Sequence, residues 1–123
     1  MSDGAGSPDR TGSRFAVGPC VVDLLAHEIL GPKGRSALEP KVSAVLCLFA
    51  QRSGQLCTRE EIIGSLWPEG EGGDESLTRV VYLLRKVFRD EQGLSNIIKT
   101  VSKRGYIFHP QVCWLSGDPE DDI

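Results

Sequence analysis

The stretch Asp74–Arg89, DESLTRVVYLLRKVFR, decides how this chain is read. Its apolar residues Leu77, Val80, Val81, Leu84, Val87 and Phe88 recur at i, i+3/i+4 and i+7, the spacing of a helix with one buried stripe. Asp74 is placed to cap the start, and Glu75 lies in the first turn, where the helix dipole favours an anion. The opposite side carries Arg79, Tyr82, Leu83 and Lys86, with Arg85 and Arg89 at the edges. A basic face that includes an aromatic and a leucine suits contact with another surface. The plainer reading is a core helix with ordinary surface arginines, and the neighbouring segments decide between them.

Downstream, Asp90–Asn96 is a polar connection. Ile97–Val101 and Tyr106–His109 are strand-like, and Ser102–Gly105 between them is a turn. This is a β-hairpin with Lys103 and Arg104 at its tip. Upstream, Thr58-Arg59-Glu60-Glu61 fits a capping box, in which Thr58 and Glu61 satisfy each other's backbone donors. The helix it opens carries Ile62, Ile63, Leu66 and Trp67 and stops before Pro68. An earlier helix starts at Pro40, where the missing N–H costs nothing, and runs to about Arg52 on a face of Val42, Val45, Leu46 and Phe49. Before it lie four short strand-like pieces: Phe15–Val17, Val21–Leu25, Glu28–Leu30 and Arg35–Leu38. Gly18-Pro19 and Gly31-Pro32-Lys33-Gly34 break them into turns, so an antiparallel meander is expected.

The 123 residues fit one domain with tails. The expected divisions are a disordered Gly/Ser/Asp-rich tail over 1–13, a folded unit over 14–114 with Trp114 placed to dock, and an acidic tail over 115–123. The longest apolar run, Ala44–Ala50, is far short of a membrane span, and no signal peptide is legible, so a cytoplasmic protein is expected. Net charge is −3, but it is unevenly spread. Residues 76–106 hold seven bases against two acids, a local +5, whereas 69–75 and 116–123 hold four acids each. That segment, not the total, points to a polyanionic partner. Cys20, Cys47, Cys57 and Cys113 form no C-x-x-C pair and neighbour neither histidine, so no metal, disulfide or cofactor is expected. Cys47 reads as a small core residue.

Three helices followed by a hairpin, with cations on the third helix and the hairpin tip, is the plan of a winged helix-turn-helix. The fold expected is α+β, with a four-stranded N-terminal antiparallel sheet, a three-helix core and a C-terminal β-hairpin wing. The segments LEPKVSAVLCLFAQRSGQLCTREEIIGSLWPEG, ESLTRVVYLLRKVFRD and IIKTVSKRGYIF together resemble the OmpR/PhoB-type winged-helix effector domain, in particular its ToxR/CadC-like branch. The resemblance runs from about Arg14 to Pro110. Its most specific pieces are Glu60-Glu61-Ile62 with Leu66-Trp67-Pro68, Leu84-Arg85-Lys86, and Thr100-Val101 with Lys103-Arg104-Gly105-Tyr106.

The resemblance implies sequence-specific binding of double-stranded promoter DNA, as tandem copies on direct repeats. It puts Arg79, Tyr82, Leu83 and Lys86 in the major groove. It puts Ser76, Thr78, Arg85, Thr100 and Tyr106 on the DNA backbone and Lys103 and Arg104 at the wing in the minor groove. Trp67 and Leu84 match positions that pack the core. The loop before the third helix, with Glu69, Glu71 and Asp74, would be the contact for RNA polymerase or another partner. These residues hold no receiver domain and no membrane segment. The chain therefore reads equally as a freestanding regulator or as the cytoplasmic fragment of a membrane-tethered one. The competing reading is an adaptor that uses the Tyr82/Leu83 face or the acidic loop to bind a protein. An enzyme is not expected, since no nucleophile, paired carboxylate or phosphate loop is evident.

Overall fold

The computed structural model describes residues 13–68 and 72–115. Apart from Ser13 and Leu115, the two expected tails lie outside the described residues, as do Glu69 and Glu71. In the described parts the order is β1 (Arg14–Val17), β2 (Cys20–Asp23), β3 (Glu28–Gly31), β4 (Gly34–Ala37), α1 (Pro40–Gln51) and β5 (Leu56–Thr58). Then follow α2 (Arg59–Leu66), α3 (Gly73–Lys86), a π-helical turn (Val87–Glu91), β6 (Ile98–Val101), β7 (Gly105–Phe108) and β8 (Val112–Trp114).

Strand alternation builds the first sheet. The antiparallel registers Phe15↔Val22, Val22↔Ile29 and Ile29↔Ser36 line up one residue from each of β1 to β4, and all four are buried. Against this face pack Val42, Val45, Leu46 and Phe49 of α1, Ile62 of α2, and Leu77, Val80, Val81 and Leu84 of α3 in one core. The stripe predicted for the third helix is therefore the buried one. Thr58 Oγ accepts from the Glu61 N–H at 3.1 Å and Glu61 Oε1 from the Thr58 N–H at 3.0 Å, which is the expected capping box.

The winged helix-turn-helix is present, with two strands that the sequence reading did not foresee. β8 pairs with β1, making the N-terminal sheet five-stranded in the order β4-β3-β2-β1-β8, not four-stranded. Its Trp114 ring packs on Phe15 at 4.9 Å between centroids. β5 pairs with β7, so the wing belongs to a three-stranded sheet, β5-β7-β6. Both added strands have three residues, too few for alternation to be legible.

The ends of the third helix also differ from expectation. Gly72, in the left-handed region at φ 68°, stands at its N-cap, and Asp74 lies inside the first turn. The α-helix ends at Lys86, and the wider turn after it closes with the Gln92 N–H on Val87 O at 3.3 Å. Gln92 is thereby buried under the N-terminal sheet. Its amide nitrogen donates to Ser36 Oγ at 2.9 Å and Gly34 O at 3.2 Å, and its oxygen faces the Cys20 thiol at 3.7 Å. Burial of a neutral amide is tolerable because both of its ends are met.

Two glycines offer a paired test of the packing. A Cβ at Gly105 would run into the Cys57 carbonyl oxygen and Thr58 Cα of β5, whereas one at Gly64, in the middle of α2, meets nothing within 4 Å. Gly105→Ala is expected to destabilise the fold by about 1–3 kcal/mol. Gly64→Ala is expected to stabilise it by up to about 1 kcal/mol. Urea denaturation of the two variants checks both signs.

Candidate nucleic-acid interface

The amphipathic period of α3 separates its two faces. With Leu77, Val80, Val81 and Leu84 committed to the core, Arg79, Tyr82 and Lys86 are exposed, Tyr82 to 58%. Leu83 is not on that open face as expected; it is half-buried and packs against the core. At the edge of an apolar stripe roughly 100° or more wide, a leucine four residues before Val87 is drawn inward.

None of the exposed cations here hangs free. Arg79 Nη2 lies 2.9 Å from Glu39 Oε2, at the start of α1. This hydrogen-bonded partner holds the guanidinium above its ordinary pKa. Lys86 faces Asp90 at 3.7 Å, and Arg89 Nε meets the same carboxylate at 2.8 Å. The bond from Arg89, reinforced by Lys86, keeps Asp90 below the usual carboxylate range.

Two arginines join α3 to the wing. Arg85 Nη2 donates to Ile98 O at 2.9 Å and to Thr100 Oγ at 2.8 Å, tying the last turn of α3 to β6. Arg85 and Thr100 are therefore partners of each other. Arg59, the first residue of α2, was not singled out from the sequence, where it reads as one more surface cation. Its Nη2 donates to Asp74 Oδ1 and Asp74 O, both at 3.0 Å, and its Nη1 to the Tyr106 hydroxyl at 2.9 Å. Its own N–H bonds Arg104 O at 3.0 Å. One residue thus holds the first turn of α3, strand β7 and the wing tip. No spacing rule announces such a contact, because the partners lie 15 and 47 residues away.

The other candidates divide accordingly. Tyr106 is buried, 6% exposed, with its ring beside Phe49 and its hydroxyl on Arg59, so it is part of the wing's anchorage. Thr78 is exposed, but its hydroxyl bonds Asp74 O at 3.0 Å. Ser76 is half-buried. Lys103 and Arg104 are exposed on the wing turn, Lys103 in the left-handed region at φ 65°, and their side chains meet no partner among the described residues. Trp67 packs against the core from its edge, not within it, and Lys41 Nζ sits 5.3 Å above its ring. Between α2 and the wing tip lies an open groove of about 730 Å³, lined among others by Ile63, Trp67, Arg59, Lys103 and Arg104.

The described residues contain no group of His, Cys, Asp and Glu able to hold a metal ion. Cys20, Cys47 and Cys57 have thiols pushed up by burial. Cys47 is half-buried against the core and not inside it.

Comparison with known proteins bears on this arrangement. The family described as "Transcriptional regulatory protein, C terminal" matches residues 33–108. Over 108 residues the chain is 32% identical to the transcriptional activator CadC of Escherichia coli strain K12, covering 87% of this chain and 21% of that protein. The chain thus spans about a fifth of that relative's length. The solved DNA-binding domain of E. coli CadC superposes with a TM-score of 0.75 at 30% identity, covering 84% of this chain and 97% of that one. The Klebsiella pneumoniae RstA DNA-binding domain, solved in complex with the RstA box, superposes at 0.63 with 25% identity, covering 78% of this chain and 96% of that one.

Two measurements test the anchorage. Arg59→Ala removes charge-assisted bonds to two elements, α3 and β7, and is expected to cost about 1–3 kcal/mol. Amide exchange should show β6 and β7 losing protection before the N-terminal sheet does. Glu61 titrates below the ordinary glutamate range, chiefly because it accepts the Thr58 N–H. A carboxylate depressed by folding contributes stability that is present above its unfolded pKa and lost as pH falls through its folded one. Glu61→Gln should therefore flatten the acid limb of a melting-temperature profile and leave its neutral part parallel to wild type.

Proposed function

The chain belongs to the OmpR/PhoB-type family of transcriptional regulatory C-terminal domains, and from that membership we propose that it binds double-stranded promoter DNA sequence-specifically, with α3 in the major groove and the wing at the adjacent minor groove. The family is one of regulators, not of enzymes. The unit that binds is 14–114.

The observation that carries this reading is the double clamp by Arg59 and Arg85. It holds a wing bearing Lys103 and Arg104 against a helix whose outer face bears Arg79, Tyr82 and Lys86. Two cationic elements at fixed separation suit a rigid polyanion with two grooves. Arg79 is the candidate for a bidentate contact to guanine, and Tyr82 for apolar contact with a thymine methyl. Lys86 is a further candidate for the major groove, and Ser76 and Thr78 are candidates for phosphate contacts. Arg85, Thr100 and Tyr106 act by keeping the wing in position. Tandem binding on direct repeats goes with this reading, and so does a polymerase contact at the loop before α3. Of that loop's candidates only Asp74 is described, and one of its oxygens is already taken by Arg59.

A role on promoter DNA goes with a cytoplasmic domain, whether free or tethered; no described helix is long and apolar enough to cross a membrane. The adaptor reading loses one of its two apolar anchors, because Leu83 faces the core.

Selection from random duplexes is the direct test. An enriched motif, with half-sites repeated at one helical turn of about 10 base pairs, is the expected result. No enrichment at low salt, even with two copies joined, would overturn the reading. On the selected duplex, replacing Lys103 and Arg104 together by Ala should flatten the log–log salt dependence by about 1–2 units, since each phosphate contact contributes about 0.9. An unchanged slope would remove the wing from the interface.

A further inference from the structure

The reading face of α3 is flanked by two carboxylates that its own cations already engage. Glu39 stands at the N-cap of α1, yet its side chain makes no capping bond there. It reaches instead across 40 residues of sequence to Arg79, at 2.9 Å. Both side chains remain more than half exposed, 55% and 58%. Beyond the other end of the face, Asp90 takes Arg89 at 2.8 Å and Lys86 at 3.7 Å. Arg79 and Lys86 are about 10 Å apart along the helix axis, so one carboxylate serves each end. The wing differs, since Lys103 and Arg104 have no such partner among the described residues.

We propose that Glu39 and Asp90 are specificity-determining residues, which neutralise the cations of α3 so that duplexes offering only phosphates gain little from this helix. The proposal rests on the DNA-reading function above and deepens it. Binding without sequence preference is driven by cations that displace counterions from phosphates. A guanidinium already paired to a carboxylate contributes little to that exchange, because the carboxylate it leaves must gather a cation in its place. The same carboxylates, held near the duplex, repel phosphates at short range. A guanine edge is neutral and offers two acceptors to Arg79, so the exchange there is not opposed by repulsion between ligand and carboxylate. Glu39 also holds the Arg79 guanidinium in one orientation, which matters to a base edge and little to a phosphate. Exposure of the pair keeps it exchangeable, as surface ion pairs are weak.

The test uses the whole chain and two duplex pools, one random and one carrying the selected motif, across a range of salt. Glu39→Gln and Asp90→Asn should each tighten binding to random DNA about fivefold. Each should also steepen its log–log salt slope by about one unit. The selected duplex should gain less, so that the ratio of selected to random affinity falls. Glu28→Gln, which removes a carboxylate paired with Arg35 at 3.4 Å on the N-terminal sheet, should alter neither pool. In an Arg79→Ala background, the effect of Glu39→Gln on the ratio should shrink, because only its repulsion of phosphates is left to remove. Melting curves superimposable on wild type confirm that the comparison is between folded proteins.

An unchanged ratio, or an equal effect of Glu39→Gln with and without Arg79, overturns the inference while wild-type selectivity leaves the DNA reading standing. A wild-type chain that enriches no motif overturns both.

Discussion

Burial of Leu77, Val80, Val81 and Leu84, continued by Phe88 in the turn that follows, takes one whole stripe of α3 out of water, and the rest of the molecule is arranged around that burial. A helix of 14 residues that loses one side to the core can offer only the other to a partner, in an orientation set by α1, α2 and the sheet behind it. Removing an aromatic such as Phe88 or Phe49 from this core would cost several kcal/mol, a large share of what a domain of this size has to spare. The outer face is thus positioned by apolar contacts that never touch a ligand.

What apolar burial leaves loose, polar clamps fix. A wing of two short strands and a turn has little core of its own, and isolated hairpins are marginal in water. Here the β7 strand gains β5 as a second neighbour, Arg85 ties β6 to α3, and Arg59 joins β7, the wing tip and the start of α3. At the far end of α3, Gln92 performs the same service toward the N-terminal sheet through Ser36 and Gly34. The wing is consequently referenced to both ends of a single helix, and the N-terminal sheet to the second of them. A reader of duplex DNA needs that geometry to be settled before binding, because ordering it afterwards would be subtracted from affinity.

The electrostatics follow a different logic from the charge count. A segment that carries a surplus of cations is expected, from the count alone, to present an unbroken positive surface. Instead the exposed cations of α3 and of the turn after it are engaged by carboxylates, Arg79 by Glu39 and Lys86 with Arg89 by Asp90, whereas Lys103 and Arg104 on the wing turn have no such partner among the described residues. On the proposed reading, affinity for any duplex and discrimination among duplexes fall to separate parts of the surface, in line with the separate roles of phosphate and base contacts.

The amino-acid sequence alone determined the three helices, the meander and the hairpin, because each is written in local terms: apolar residues at helical spacing, Thr58 and Glu61 as reciprocal caps, Gly-Pro punctuation between strands. It also identified the buried side of α3, since periodicity assigns faces without reference to what packs there. Only the tertiary structure decided the rest. Strands β5 and β8 are three residues long and exist because β7 and β1 offer open edges to them. Leu83, at the margin of the apolar stripe, turned inward because the core reaches that far. Tyr106 became an anchor and not a surface hydroxyl because Arg59, 47 residues away, folds beside it. Glu39 lies just before α1 and Arg79 within α3, 40 residues on, and no local pattern relates them. Periodicity reports which side of an element is apolar; which distant charge meets which is settled only when the elements are packed.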